Sequence, residues 1–363
     1  MLAAILQSAG YNTGLYTSPH LKEFTERIKI NGADVEQDFV VDFVNRLHGV
    51  IEQIQPSFFE VTVAMAFEYF AVKKVDIAVI EVGLGGRLDA TNVITPELSL
   101  ITNISFDHKD LLGDTLKKIA FEKAGIIKHH VTVIVSERQA EVEEVFIAKA
   151  RESEAEIIFA PDDIQLKAEG EGFDVYQDKK LWLKDINPGL KGRYQRLNIP
   201  CALAGVLKLR KKGFEISDEA IRKGISEVVS LTGLKGRWQK LRDRPLTICD
   251  TAHNPAGIKE VIDQINITPH HHLHFIFGVV KEKDLTEVLR LLPKEATYYF
   301  CEAKIPRALD ADVLAKEASA SGLHGKVIRD VNDAYKEATR NAADGDLVFI
   351  GGSTFVVAEV DGL

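Results

Sequence analysis

Two short apolar runs, residues 75–82 and 98–104, each lead into polar side chains that a protein core does not favour. Runs of this length are typical of the buried strands of a parallel sheet. Glu81 lies at the end of the first run, and His108 follows the second. Lys123 lies on the predicted helix that comes next. Because open α/β sheets bind ligands at the carboxyl ends of their strands, we expect neighbouring strands and a ligand site at that edge.

Strand and helix patterns alternate along nearly the whole chain, which predicts an α/β fold with parallel sheets and helices on both faces. Between residues 164 and 190 the pattern changes to short β segments with turn signals, so we expect a small antiparallel addition there. Residues 230–245 contain two glycines and mixed charge and have the character of a linker. We therefore expect two domains, at residues 1–232 and 236–363.

Periodicity and flanking turn residues predict the individual elements. In the first domain the predicted helices are residues 2–8, 37–53, 60–72, 140–153, 198–212 and 218–229. Further strands are predicted there at residues 13–17, 131–135 and 156–159. In the second domain the predicted strands are residues 246–249, 274–277, 297–301, 326–329 and 347–350.

Charge and composition restrict the class of partner. The net charge of −9 over 363 residues argues against nucleic acid or an anionic membrane as the main partner. No run approaches the roughly 18 apolar residues of a membrane span, and the first residues lack the basic segment of a secretory signal. The cysteines are widely spaced and lie in apolar contexts, which predicts reduced thiols and a cytoplasmic protein: Cys201, Cys249 and Cys301.

Lys123 lies among small and apolar residues, where the loss of solvent lowers the pKa of an amine. A neutral lysine can take up CO2 to form a carbamate, which replaces a cation by an anion. Together with the Glu81 carboxylate and the His108 imidazole, such a group suits Mg²⁺, which accepts few protein ligands and keeps its phosphate contacts. The alternative is that these are ordinary polar residues at strand ends and on a helix surface.

Several segments resemble the signature sequences of one enzyme family. They are TSPHLKEFTERIKING (17–32), FFEVTVAMAFEYF (58–70), LGGRLDATN (84–92), FDHKDLLGDTLKKIAFEKAGIIK (106–128), Gln195 to Asn198, LKGRWQ (234–239), DTAHNP (250–255) and IGGSTFVVAEV (350–360). The family is folylpolyglutamate synthase/dihydrofolate synthase, a group of Mur-ligase-like, ATP-dependent ligases that form amide bonds. The resemblance covers essentially the whole chain, in family order. It implies a P-loop-type ATPase domain like the Mur-ligase central domain, followed by a Rossmann-like α/β domain.

The resemblance also implies roles for the residues that form the predicted metal and phosphate site. Ser18, Glu81 and His108 would hold Mg²⁺. Lys123, in carbamylated form, would orient a metal ion or the γ-phosphate. Ser18, Pro19 and His20 belong to the segment that resembles the folate-site loop. The alternative for Ser18 is a simple turn residue before a proline.

Further roles implied by the resemblance concern ATP and the pterin. Asn198, Arg237 and Asp250 would contact ATP, and His253 would lie beside the nucleotide. Asp89 would lie near the pterin. The alternative for Asp250 is that it only caps the amino end of the next helix.

One motif of the family does not occur in this sequence. The family begins its first domain with a strand and a glycine-rich phosphate loop, whereas no G-x-x-x-x-G-K-[ST] occurs in the 363 residues. The backbone cradle and the lysine of that loop bind the phosphates of ATP. We expect either that Met1 is an internal methionine of a longer protein or that the chain is a truncated, impaired product. The intact character of every later motif favours the first.

The resemblance implies a function in which L-glutamate is added to tetrahydrofolate, and in a bifunctional member to dihydropteroate, through an acyl phosphate. ATP and Mg²⁺ would be required, and a monomer is expected. A muramyl-peptide ligase would share the Glu, His and Lys core, although the SPHL segment and the Gly-Gly-Arg-Leu-Asp run argue against it. A non-catalytic folate- or nucleotide-binding relic is the alternative from another class.

Two histidine tracts could also be considered as metal sites. One comprises His270, His271, His272 and His274, and the other His129 and His130. Each lies in a turn that leads into a strand, so we predict solvated loops for both tracts.

Overall fold

A computed structural model describes residues 1–170, 172–281 and 285–363. These residues divide into two compact units. Unit 1 comprises Met1–Gly189 and Gln195–Gly233, and unit 2 comprises Leu190–Tyr194 and Leu234–Leu363. The segment 190–194 therefore belongs to unit 2, although elements of unit 1 flank it in the sequence.

Unit 1 contains ten helices and ten strands among the described residues. The helices are α1 (Leu2–Ser8), α2 (Gln37–Ile54), α3 (Phe58–Val72), α4 (Lys109–Leu112), α5 (Leu116–Ala124), α6 (Glu143–Glu152), α7 (Ala160–Asp163), α8 (Gln195–Lys211), α9 (Asp218–Ser226) and α10 (Val228–Thr232). The strands are β1 (Thr13–Tyr16), β2 (Ile28–Ile30), β3 (Ala33–Asp34), β4 (Ile77–Ile80), β5 (Ser99–Ile101), β6 (Val133–Val135), β7 (Ile157–Phe159), β8 (Ile164–Glu169), β9 (Gly172–Gln177) and β10 (Lys180–Ile186).

The strands of unit 1 form three sheets with the orders β3-β2-β1-β4, β5-β6-β7 and β10-β9-β8. The third sheet is antiparallel throughout, which confirms the antiparallel addition predicted for residues 164–190. The expectation that the two apolar runs form neighbouring strands is wrong: β4 pairs in parallel with β1, and β5 pairs in parallel with β6. A short apolar run indicates a strand, but it carries no information about which strand becomes its partner.

Local capping explains where some helices begin and end. The Ser57 hydroxyl accepts the Glu60 N–H at 3.2 Å, and the Ser57 N–H donates to the Glu60 carboxylate at 2.6 Å. This capping box starts α3 at Phe58, two residues before the predicted start. The helix predicted at 218–229 is interrupted at Glu227, where the backbone leaves the helical conformation, so that α9 and α10 form instead.

Unit 2 is built on one six-stranded sheet with the order β11-β12-β16-β13-β14-β15. Its strands are β11 (Gln239–Asp243), β12 (Leu246–Cys249), β13 (Leu273–Phe277), β14 (Thr297–Phe300), β15 (Gly325–Val327) and β16 (Leu347–Gly351). Its helices are α11 (Pro255–Ile267), α12 (Leu285–Leu291), α13 (Ala311–Ala320), α14 (Val331–Asn341) and α15 (Thr354–Glu359). All pairings are parallel except that of β11 with β12.

The sheet of unit 2 is buried on both faces, as the α/β pattern predicts. Along β13, Phe275 and Phe277 pack into one apolar cluster, while Ile276 between them packs into another on the opposite face. Part of the predicted linker, residues 239–243, forms the edge strand β11. Its mixed charge is compatible with an exposed sheet edge.

The structure also describes the helices, as candidates for membrane spans, and the three cysteines. No helix within the described ranges is long and apolar enough to cross a membrane. Cys201, Cys249 and Cys301 are buried, and none forms a disulfide. Burial raises the pKa of the Cys201 and Cys249 thiols to about 12, so these thiols remain protonated near neutral pH.

The close packing of α9 on α1 gives the first test. A methyl group at Gly224 would meet the Ile5 backbone nitrogen and Cα at 2.6 and 2.5 Å. We expect Gly224→Ala to lower the free energy of unfolding by about 2 kcal/mol or more, because helix backbones must separate to admit it. Urea denaturation measures the change.

The matched control is Gly49→Ala, in the exposed part of α2, where an added methyl group meets no atom within 4 Å. This substitution should raise the free energy of unfolding by roughly 0.5–1 kcal/mol through helix propensity. Equal effects of the two substitutions would contradict the close-packing argument.

Candidate active site

The carboxyl ends of β1 and β4 bring Ser18 and Glu81 together. The two strands are parallel with Tyr16 opposite Ile80, and the Glu81 N–H donates to the Tyr16 carbonyl at 2.9 Å. The Ser18 backbone N–H then donates to Glu81 Oε2 at 2.8 Å. The Glu81 side chain is exposed, so its carboxylate is oriented by the backbone while remaining accessible to a ligand.

His20 and Arg27 form a second pair in the same loop region. Arg27 Nε donates to His20 Nδ1 at 2.8 Å, and the guanidinium lies 5.3 Å from the centre of the Phe58 ring. Burial and the charge of Arg27 lower the pKa of His20, so the imidazole is neutral near neutral pH. Arg27 was not predicted as a site residue. The only signal in the sequence was its place in the segment 17–32, because its burial to 7% exposure is a property of the fold.

His108, which follows β5, and Lys123, on α5, are the other residues of the predicted phosphate site, and Asp107 adjoins His108. His108 is exposed, has a left-handed backbone with φ 48°, and stands 4.0 Å from Asp107 through Nε2 and Oδ1. Lys123 is partly buried on α5. Burial lowers the pKa of its amine, and the charge of Asp107 acts in the opposite direction. This agrees with the predicted direction of the Lys123 pKa, and it adds Asp107 to the residues that face the amine.

The glycine turn after β4 is fixed to the helix that carries Lys123. The Arg87 N–H donates to the Glu122 carbonyl at 2.8 Å, and the Arg87 guanidinium pairs with the Glu122 carboxylate at 3.0 Å. A Cβ at Gly86 would stand 2.9 Å from the Glu122 carbonyl oxygen, and one at Gly125 only 2.3 Å from the Arg87 Cα. Both positions therefore require glycine, and this packing places the loop after Glu81 against α5.

Asp89 shapes a neighbouring cavity of about 350 Å³. Its carboxylate accepts the backbone N–H groups of Leu84 at 2.9 Å and Thr91 at 3.0 Å, and it caps the short 3₁₀ helix Ala90–Val93. Apolar side chains line much of the cavity: Phe59, Leu84, Leu88, Ala90, Leu111 and Leu112. Such a mixture of apolar walls and a few fixed polar groups is typical of small-molecule sites.

In unit 2, Asp250 lies at the centre of a hydrogen-bonded cluster. Its carboxylate accepts the Tyr194 hydroxyl at 2.7 Å, the Trp238 N–H at 2.7 Å and the Ala252 N–H at 2.8 Å. Burial to 2% exposure raises the pKa of Asp250, while the hydrogen bonds and the nearby Arg237 charge lower it. The helix-cap alternative is wrong, because Asn254 caps α11 by accepting the Gly257 N–H at 2.8 Å.

The other predicted nucleotide-contacting residues are divided between the units. Arg237 donates to the Thr251 hydroxyl, and His253 Nδ1 lies 3.0 Å from the Thr251 carbonyl, so both adjoin the Asp250 cluster in unit 2. Asn198 lies on α8 of unit 1, where its amide donates to Gln195 Oε1 at 3.1 Å. The sequence did not predict the contact between Tyr194 and Asp250, because 56 positions separate the two residues along the chain.

Comparison with known proteins identifies the class and then the family. Residues 22–206 match the Mur ligase middle domain, and residues 236–354 match the Mur ligase, glutamate ligase domain. A Bacillus subtilis protein described as dihydrofolate synthase/folylpolyglutamate synthase is 31% identical over 99% of this chain and 85% of its own length. The chain belongs to the folylpolyglutamate synthase/dihydrofolate synthase family of Mur-type ligases.

Solved structures agree with this family. The structure of Escherichia coli FolC in complex with DHPP and ADP has a TM-score of 0.88 and 29% identity, covering 98% of this chain and 83% of that one. A bifunctional folylpolyglutamate synthase/dihydrofolate synthase with Mn, AMPPNP and L-glutamate bound has a TM-score of 0.85 and 28% identity, covering 98% and 84%. These matches confirm the predicted fold class.

Two expectations from the sequence are less well supported by these matches. The comparisons do not bear out the expectation that the chain lacks the phosphate-loop segment of the family. The curated relatives are folate ligases, so the muramyl-peptide ligase alternative has less support than the folate ligase.

The partly buried Lys123 amine gives a test of site electrostatics. Its folded-state pKa is lowered, so between the folded and unfolded pKa values the unfolded chain binds more protons, and stability rises with pH. In CO2-depleted buffer, we expect Lys123→Met to raise the free energy of unfolding most below the folded pKa. The gain should shrink as the pH approaches the unfolded value, and urea denaturation at several pH values measures it.

Lys117→Met is the matched control, since Lys117 is exposed on the same helix. Because Lys117 is exposed, Lys117→Met should change the free energy of unfolding by no more than about 0.5 kcal/mol. If Lys123→Met destabilises the protein at every pH, the argument that the buried amine is electrostatically unfavourable fails.

Proposed function

We propose that this protein is an ATP-dependent ligase that adds L-glutamate to folates. As a folylpolyglutamate synthase it would extend the γ-carboxylate of a folate glutamate, and as a dihydrofolate synthase it would act on the carboxylate of dihydropteroate. The observation that carries the proposal is the partly buried Lys123 beside Asp107, on a helix fixed to the turn after Glu81. Family membership over 99% of the chain supports it.

The proposed reaction has two steps. A carboxylate oxygen of the folate substrate attacks the γ-phosphorus of ATP, the bond to the ADP oxygen breaks, and an acyl phosphate forms. The α-amino group of glutamate then attacks the acyl carbon, loses a proton and forms the amide while phosphate departs. Both steps bring anions together, so fixed positive charge and exclusion of water are the contributions that a protein can make.

The residues at the strand ends fit a hard divalent ion. Glu81 offers an exposed carboxylate held by the Ser18 N–H, Asp107 offers a second carboxylate, and the exposed His108 imidazole adjoins it. Carboxylate oxygens are the ligands Mg²⁺ prefers. We propose Ser18, Glu81 and His108 as the set that holds Mg²⁺, which when bound would offset charge on the transferring phosphoryl group.

Lys123 is proposed to act in its carbamylated form. A lowered amine pKa increases the neutral fraction that can add to CO2. The resulting carboxylate would lie beside the Asp107 region and would orient the metal ion or the γ-phosphate. Lys123 is partly buried on α5, and burial restricts the rotamers of a side chain, which favours one orientation of that group.

The remaining roles are proposed from position. The cavity beside Asp89 and Phe59 has the apolar walls that a flat pterin ring needs, and the loop of Pro19 and His20 is the proposed folate loop. Asn198, Arg237 and His253 are proposed to contact the nucleotide. Asp250 is 2% exposed and accepts hydrogen bonds from three protein donors. One donor is the N–H of Trp238, the residue after Arg237, which supports a role for Asp250 in positioning Arg237 for its proposed contact with ATP.

We further propose residues 1–232 as the ATPase and folate domain and residues 236–363 as the glutamate-ligase domain. A monomer acting in the cytoplasm is also proposed. Reduced, buried cysteines support a reducing compartment, and the net charge of −9 supports small molecules rather than nucleic acid as partners.

The function is tested by measuring ADP release with Mg²⁺, ATP, L-glutamate and either tetrahydrofolate or dihydropteroate. We expect turnover only when glutamate and a folate acceptor are both present. Glu81→Gln should lower kcat about 100-fold or more, because the charge that faces the metal ion is lost. Asp110→Asn, an exposed carboxylate nearby on α4, is the matched control.

Other outcomes distinguish the alternatives. Turnover with UDP-muramyl precursors would indicate a muramyl-peptide ligase. ATP hydrolysis that does not depend on glutamate would contradict the proposed function, and binding of Mg-ATP by calorimetry without any turnover would indicate a relic.

Chemical rescue tests the proposed carbamate. Lys123→Ala should abolish measurable ligation, and millimolar acetate or propionate should restore part of kcat by supplying a carboxylate in the vacated space. Lys123→Arg is the control, because its side chain is permanently charged and fills the space, so no rescue is expected. Failure of every small carboxylate to restore turnover in Lys123→Ala would oppose a carbamate role.

A further inference from the structure

A second group of potential metal ligands lies in unit 1, away from the candidate active site. His129 and His130 are in the connection between α5 and β6, and Glu154 is in the connection between α6 and β7. Because β5, β6 and β7 are parallel, these connections lead into the amino ends of β6 and β7. The candidate site residue His108 instead follows the carboxyl end of β5, at the opposite edge of the same sheet.

Backbone carbonyl groups determine which nitrogen of each imidazole is available. His129 Nδ1 lies 3.1 Å from the Ser153 carbonyl oxygen, and His130 Nδ1 lies 3.3 Å from that of Glu154. A carbonyl oxygen only accepts, so each Nδ1 carries the proton in these hydrogen bonds. The Nε2 lone pairs then remain available, and imidazoles that bind metals through one nitrogen commonly donate the other N–H to a carbonyl.

The three side chains converge on one point at the surface. One ligand atom from each of His129, His130 and Glu154 lies within 4.8 Å of the others. His130 Nε2 stands 3.9 Å from Glu154 Oε2, and the two imidazole ring centres are 3.7 Å apart. A tetrahedral ion holds its ligand atoms roughly 3.4 Å apart, so small rotations of these exposed side chains would complete the site.

The backbone fixes the two connections that carry these side chains relative to each other. The His130 N–H donates to the Ser153 carbonyl at 3.0 Å, which ties one connection to the other. His130 and Glu154 both adopt left-handed backbone, with φ of 59° and 47°. Histidine, asparagine and aspartate adopt that conformation more often than other residues with a side chain, so Glu154 is the residue that occupies a position where glycine would fit with less strain.

We propose that His129, His130 and Glu154 form a binding site for a borderline divalent metal ion such as Zn²⁺ or Cu²⁺. Two imidazoles and one carboxylate suit these ions, whereas Mg²⁺ prefers oxygen ligands alone. Three protein ligands leave a coordination position for water. The ion links the entries of two neighbouring strands, so its effect is on the stability of unit 1 and not on the ligase chemistry at the other sheet edge.

The other histidine tract does not offer the same arrangement. His270 Nδ1 lies 2.7 Å from the Thr268 carbonyl, and His272 Nε2 lies 2.8 Å from the Thr297 hydroxyl. His274 is buried, with its two nitrogens facing the Tyr299 hydroxyl and the Asp346 carboxylate. Within residues 1–170, 172–281 and 285–363, only His129, His130 and Glu154 form a group of three histidine, cysteine or carboxylate side chains whose ligand atoms all lie within 4.8 Å of one another.

The test is calorimetric titration of the tag-free, chelator-treated protein with ZnCl2 in excess Mg²⁺. We expect a saturable site at micromolar Zn²⁺ that His130→Asn and Glu154→Gln each weaken at least about tenfold, the scale seen when even a supporting group of a metal site is removed. Asparagine tolerates the left-handed backbone at position 130. Electron paramagnetic resonance of the Cu²⁺ complex should show two coordinated nitrogens, and one nitrogen in His130→Asn.

His48→Ala is the matched control, because His48 is exposed and stands 3.6 Å from Glu52 as a histidine–glutamate pair. Its Zn²⁺ affinity should equal that of the unaltered protein. Zn²⁺ should raise the melting temperature of the unaltered protein and of His48→Ala, but not of a variant with His130→Asn and Glu154→Gln combined. Equal melting temperatures of all variants in EDTA show that they fold.

Three results would overturn the proposal. They are the absence of saturable Zn²⁺ binding, an equal loss of affinity in His48→Ala and His130→Asn, and a Cu²⁺ spectrum that His130→Asn leaves unchanged.

Discussion

The packing of the glycine turn at 83–86 against α5 is the interaction on which the candidate site of unit 1 depends. No sheet pairing joins β4 to β5 in the described structure, so the strand that leads to Glu81 and the helix that carries Lys123 meet through this turn. The Arg87 N–H to Glu122 carbonyl bond and the space-filling contacts at Gly86 and Gly125 make that connection. A side chain at either glycine would separate loop and helix.

Burial assigns different roles to the charged residues of the two units. Glu81 and His108 are exposed, and Lys123 is partly buried with Asp107 acting on its pKa, so these groups can meet a ligand. Asp250 is nearly inaccessible and has three protein donors. A buried carboxylate with all donors supplied by the protein orders its surroundings, since any loss of a donor leaves a charge unsatisfied.

Much of the fold could be predicted from periodicity and turn chemistry. The first helix was predicted with its observed bounds, Leu2–Ser8, and the antiparallel sheet at 164–190 follows from its turn signals. The pairing of β4 was predicted wrongly, because an apolar run of four to eight residues has the same pattern beside any partner. The role of Asn254 as the cap of α11 was also missed, although an Asn-Pro pair is a typical helix start.

By itself, the sequence determined the α/β class, the family and the types of residue that carry the chemistry, since these depend on local periodicity and on motifs along the chain. Only the tertiary structure decided which groups meet. The Tyr194 hydroxyl reaches Asp250 across 56 positions, and Glu154 reaches His130 across 24. Contacts at such separations arise from the packing of whole elements, which sequence order does not show. The neighbours of Lys123 along the chain indicated the direction of its pKa, but the charge of Asp107 that acts on it became apparent only in the fold.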